Sequence, residues 1–99
     1  VPFGTLVELG LLSAGSPLYD ERRKVKAEVK ADGTVAVPGS RGSIHRLGAV
    51  VQGKSACNGW TFWHYERGGR LHPIDELRER AKAELGLAKH APAPLIAAE

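Results

Sequence analysis

Trp60, Phe62, Trp63 and Tyr65 place four of the six aromatic residues, and both tryptophans, within six consecutive positions of this 99-residue chain. A single small domain of this length can bury one modest core. It would ordinarily spread its aromatics over several elements. The cluster follows Asn58-Gly59, a pair suited to a tight turn, so residues 60–66 are predicted to form a strand. Alternation then puts Trp60, Phe62 and His64 on one face and Thr61, Trp63 and Tyr65 on the other. Two aromatics per face is more than a one-sided core requires. Either one face is merely covered by a terminal helix, or Trp60, at the exposed start of the strand, stacks on a base or packs on a sugar-phosphate chain.

The rest of the chain reads as α+β, a small antiparallel sheet with about three short helices. Thr5 to Leu12 is predicted to be a helix, with Leu6, Leu9 and Leu12 on one face, ended by Ser13-Ala14-Gly15-Ser16-Pro17. Leu18-Tyr19 can begin a strand. Lys24 to Ala31 alternates, with Val25, Ala27, Val29 and Ala31 against Lys24, Lys26, Glu28 and Lys30, as a half-buried strand does. Asp32-Gly33 is a hairpin turn, Thr34–Val37 the returning strand, and residues 38–42 a loop. Ser43 is suited to cap a helix over Ile44–Gln52. Residues 67–70 turn the chain, and Pro73 opens a final helix to about Leu85, with Gly86 as its stop. Residues 1–86 form the domain, and 87–99, rich in Ala and Pro, read as a flexible tail.

Composition bounds the function loosely. The formal charge is +3 with an isoelectric point near 9.3, too small an excess to name a partner without its placement. A single cysteine, Cys57, forbids an internal disulfide and fits a reducing, cytoplasmic setting. No apolar run approaches the ~20 residues of a membrane span. The absence of Met favours a domain cut from a longer protein. Ser43, His45, Cys57, His64 and His72 form no nucleophile elbow, no paired Cys-x-x-Cys and no His-Glu-x-x-His helix, so neither catalysis nor a metal site is assigned.

Binding is the better reading. Arg41-Gly42-Ser43-Ile44-His45-Arg46 sets a hydroxyl and three basic side chains at a helix N-terminus, where free N–H groups and the helix dipole favour phosphate. Capping alone would also account for Ser43. Asn58 is explained by turn geometry, yet its amide can pair bidentately with adenine. Lys24 and Lys26 share a strand face with Lys30, near Arg22 and Arg23, although lysines also protect edge strands.

The blocks Gly42-Ser43-Ile44-His45-Arg46-Leu47-Gly48-Ala49 and Cys57-Asn58-Gly59-Trp60-Thr61-Phe62-Trp63-His64, with Ala31-Asp32-Gly33 before and Pro73-Ile74-Asp75-Glu76-Leu77-Arg78 after, carry a resemblance. It runs to about Leu85. The chain resembles the C-terminal domain of the cell-cycle-regulated adenine-N6 DNA methyltransferases of alphaproteobacteria, beta-class enzymes acting on GANTC sites. More broadly, it is similar to the module attached to restriction enzymes and adenine methylases. The resemblance implies a bacterial parent that methylates adenine from S-adenosylmethionine and works as a homodimer. Its catalytic and cofactor motifs lie in an N-terminal catalytic domain, and no cofactor is assigned to this fragment because Phe3-Gly4 lacks the following glycine. DNA binding then falls on Ser43, Asn58 and Trp60, with His45, Arg46 and Trp63 as weaker candidates. The alternative is a dimerisation or protein-interaction module in which Trp60 and Trp63 pack against another subunit.

Overall fold

A computed structural model describes residues 1–90. Its elements run α1 (Phe3–Glu8), β1 (Pro17–Tyr19), β2 (Lys26–Val29), β3 (Val35–Val37), β4 (Ser40–Gly42), α2 (Ile44–Gln52), α3 (Gly59–Phe62), β5 (His64–Arg67), β6 (Arg70–Pro73) and α4 (Asp75–His90). The six strands form one antiparallel sheet in the order β4-β3-β2-β1-β5-β6. The α+β reading holds.

The alternating strand is the part of the sheet the sequence describes best. Ala27 and Val29 are buried and Lys26 and Glu28 exposed. The strand is shorter than expected, because Asp20 turns the chain before it: its Oδ1 accepts from the N–H of Lys24 at 2.6 Å and of Val25 at 2.9 Å. Inward residues of β1, β2 and β3 meet the helices in one core that includes Leu6, Leu18, Val29, Val35, Ile44, Leu47, Trp63 and Ile74.

Several expectations are corrected. The first helix spans Phe3–Glu8 rather than Thr5–Leu12. Gly10 adopts a left-handed φ of 77°, and the N–H groups of Leu11 and Leu12 both return to the Leu6 carbonyl, at 2.9 and 3.2 Å. This closure turns Leu12 into the core and leaves Leu9 exposed. Residues 38–42 are not all loop: Ser40–Gly42 pairs with Val35–Val37 as an edge strand. Pro73 ends β6 rather than opening a helix, and the final helix runs through Gly86 to His90. A mid-helix glycine costs only about 1 kcal/mol, too little to stop it. Of the predicted tail, residues 87–90 belong to α4, and 91–99 lie outside the described residues. None of the described helices is long and apolar enough to cross a membrane.

The largest correction concerns residues 60–66. Gly59–Phe62 is one helical turn, and the strand begins only at His64. Asn58 caps the turn, its Oδ1 accepting from the Trp60 N–H at 3.1 Å. Its carbonyl accepts from Thr61 and Phe62, at 3.2 and 3.1 Å. Residues three apart share a helix side, so Trp60 and Trp63 both turn inward instead of facing opposite ways.

Candidate functional site

The N-terminus of α2 and the short α3 are locked together, and they carry the polar residues picked out from the sequence. Ser43 caps α2, its Oγ accepting from the Arg46 N–H at 3.1 Å. Two residues on, the His45 imidazole leaves the surface of α2 to accept from the Gly59 N–H, through Nδ1 at 2.9 Å. An imidazole accepting at Nδ1 keeps its proton at Nε2, which is thereby free to donate outward. The third link is the Trp63 indole, whose Nε1–H donates to the Ile44 carbonyl at 2.9 Å.

Contact between the two segments is close enough to require glycine at position 59. A Cβ on Gly59 would stand 2.6 Å from both the carbon and the oxygen of the Ile44 carbonyl. On the other side, a Cβ on Gly48 would come within 2.6 Å of Cys57 Sγ. Gln52 joins the same corner, its Nε2 donating to the Gly48 carbonyl at 2.9 Å and to Cys57 Sγ at 3.2 Å. Ser43, His45, Arg46 and Asn58 are exposed around this seam. With Oδ1 committed to the Trp60 N–H, the Asn58 NH2 group has no partner among the described residues. His45 borders two shallow depressions, one shared with Ser43 and Trp60 and the other with Arg46, Lys54 and Cys57. The rim offers a hydroxyl, an amide, an imidazole N–H and an arginine. These groups hydrogen-bond and attract anions; no nucleophile is paired with a base.

Trp60 and Trp63 do not stand where the sequence placed them. Trp60 is 6% exposed and Trp63 0%. Phe3 packs on the Trp60 ring at a centroid distance of 6.1 Å, and the Arg78 guanidinium lies 4.9 Å from its centroid. Phe62 meets Trp63 edge-on at 4.8 Å. Neither indole offers a free face to a base or to a second subunit. Both hold the seam from beneath.

The cations are also redistributed. Arg41 is spent within the β3–β4 region, its Nη2 2.6 Å from Asp32 Oδ2 and its Nε donating to Thr34 Oγ1 at 3.0 Å. Asp32 is held below the ordinary aspartate range, first by the Thr34 hydroxyl and N–H and then by Arg41. Arg46 stays at the seam without an acidic partner among the described residues, its side chain lying over Gly42. Lys26 projects from β2, separated from β4 by β3, and Lys24 lies in the loop before it. Both are exposed, but neither lines the depressions beside Ser43.

Arg78 is not among the residues singled out from the sequence as site candidates. Its Nη2 sits 2.8 Å from Asp75 Oδ1, while its Nε is buried with no hydrogen-bond partner among the described residues. The i,i+3 spacing from Asp75 was the available signal. No group of three or more potential metal ligands occurs among the described residues.

Comparison with known proteins matches residues 1–86 to the family described as Restriction Enzyme Adenine Methylase Associated (RAMA). The chain is 32% identical over 78 residues to the Type II methyltransferase M.HinfI of Haemophilus influenzae, covering 79% of this chain and 22% of that enzyme. This chain thus spans under a quarter of that relative's length. With the family model covering nearly the whole described fold, the chain belongs to the restriction enzyme adenine methylase associated family.

Proposed function

We propose that this chain is the DNA-binding domain of a bacterial adenine-N6 DNA methyltransferase of the GANTC type, working as part of a homodimeric parent. The observation that carries the reading is the His45–Gly59 hydrogen bond of 2.9 Å. It binds the capped N-terminus of α2 to the Asn58 turn, so that Ser43, His45, Arg46 and Asn58 form one exposed polar edge. A helix N-terminus with a hydroxyl and a free arginine suits a phosphate. The Asn58 amide beside it suits a base edge or a second phosphate oxygen. Trp60 and Trp63 serve by rigidity in this reading, and Arg41, Lys24 and Lys26 contribute at most longer-range attraction.

Methyl transfer belongs to the parent's catalytic domain, where S-adenosylmethionine would bind. Residues Phe3-Gly4 do not fit a cofactor loop: Phe3 is buried at the start of α1, and Gly4 lies against Gly33, its Cβ position 3.5 Å from the Gly33 Cα.

The test is binding of duplexes with and without GANTC at two salt concentrations, for the wild type, Ser43→Ala and Asn58→Ala. Each phosphate contact contributes a slope of about −0.9 in log K against log salt. The reading requires salt-sensitive binding that weakens in both variants while their circular dichroism is unchanged. Salt-insensitive self-association without DNA binding would replace it with the interaction-module reading.

A further inference from the structure

A cleft lies away from the Ser43–Asn58 seam and shares no residue with the depressions there. It measures about 660 Å³ and is walled by the α1–β1 connection, the β5–β6 hairpin and α4. Its floor is apolar: Leu12 is 7% and Leu77 5% exposed, with Leu11 and Tyr65 packed partly against the core beside them.

Its mouth carries arginines. Arg67 and Arg80 line it, and Arg70 is the direct cross-strand partner of Arg67. Like charges set opposite one another in an antiparallel pair are destabilising. All three side chains are exposed, and none has an acidic partner among the described residues. Glu66 also lines the cleft but pairs with Arg23 at 3.4 Å, Glu79 pairs with Lys82 at 3.1 Å, and Glu76 lies 3.6 Å from His72. The hairpin thus keeps an unfavourable pair of cations at the edge of a cleft whose lining is part polar and part apolar.

We propose that this cleft docks an acidic peptide segment carrying a bulky apolar side chain, the carboxylates meeting Arg67, Arg70 and Arg80 and the apolar group meeting Leu11, Leu77 and Tyr65. Arginine suits carboxylates because its planar fork binds them bidentately. A nucleic-acid backbone would satisfy the arginines but leave the apolar floor without a counterpart. The site stands apart from the DNA-binding reading, and either can fail alone.

The experiment titrates the 15N-labelled chain with the peptide Asp-Glu-Leu-Phe-Glu-Asp. Two control peptides replace the acids by amides or the Leu-Phe pair by Ser-Ser. Amide shifts are expected at Leu11, Tyr65, Gly68, Gly69 and Arg80, with both controls binding more weakly. Arg67→Glu with Arg70→Glu should weaken binding about tenfold or more, while Ser43→Ala leaves it unchanged. Should that double variant misfold, Arg80→Ser carries the same expectation. Shifts confined to residues 43–58, equal binding of the Ser-Ser control, or no binding at millimolar peptide would overturn the proposal. Displacement of the peptide from these same amides by a DNA duplex would do so too, making the cleft a nucleic-acid surface.

Discussion

The indole N–H of Trp63 donates to the carbonyl of Ile44, 19 positions earlier, across 2.9 Å in the buried core. Ile44 is the first residue of α2, so this bond fixes where that helix starts relative to the aromatic segment. Trp63→Phe removes the donor and leaves a gap where the second ring was. The lost hydrogen bond costs about 1 kcal/mol and the gap a similar amount, for a total of roughly 2 kcal/mol. Urea unfolding should show a lower midpoint with an unchanged slope, and the amide signals of Ser43 and Asn58 should shift together.

Gly59 and Gly48 make a sharper pair of tests. Alanine at Gly59 meets the Ile44 backbone at 2.6 Å, which cannot move without displacing the start of α2. Alanine at Gly48 meets Cys57 Sγ at the same distance, but that thiol is a partly exposed side-chain end that can rotate. Gly48 also lies in a helix interior, where alanine gains back about 1 kcal/mol of propensity. Gly59→Ala is therefore expected to destabilise by about 2–3 kcal/mol, the upper part of the range for overpacked cores, and Gly48→Ala by less than half of that. Thermal unfolding of the two variants side by side checks the order.

These contacts mark the boundary of what the sequence makes legible. Residues 43–52 could be read in full, because cap, apolar stripe and length all indicate the same helix. Residues 60–66 could not. Asn58 is equally at home in a hairpin turn and at a helix N-cap, and its choice flips the facing of every aromatic that follows. The edge strands β4 and β6 are three and four residues long, too short to display an alternation. The candidates Ser43, His45 and Arg46 were picked out because polar groups at a helix start are visible in one dimension, and Asn58 because it opens a turn. The bond that unites them links positions 45 and 59, and no local pattern announces it. The Arg78–Trp60 contact is hidden for the same reason.

The Asp32 turn yields a prediction about pH. Its carboxylate accepts from the Thr34 hydroxyl at 2.6 Å and the Thr34 N–H at 3.0 Å, and pairs with Arg41. These interactions favour the charged form and depress its titration. A depressed carboxyl adds stability that is complete above the ordinary aspartate range and is lost as pH falls through the folded-state value. An NMR titration should find Asp32 below ordinary aspartates. Thr34→Val, which deletes the hydroxyl that donates to the carboxylate, should move it back up and remove that portion of the acid-side stability change. The site is exposed, so the effect on overall stability is small.

The role of Trp60 separates a packing residue from a contact residue. With its ring 6% exposed between Phe3 and Arg78, Trp60→Ala should cost about 3–5 kcal/mol, as large-to-small core changes do. Loss of DNA binding by that variant would then report misfolding as readily as a missing contact. Trp60→Phe keeps an aromatic against Phe3 and should cost much less. Arg78→Gln removes a cation–π contact worth about 0.5–2 kcal/mol but leaves the indole in place. If Trp60 acts only through packing, then at a temperature where the Phe variant remains folded its DNA affinity should equal that of the wild type. Measured against Ser43→Ala, whose cap loss costs only ~1 kcal/mol, the comparison assigns rigidity to the indole and contact to the hydroxyl. An affinity loss in Trp60→Phe with the fold intact would instead mean that the bound state exposes the ring.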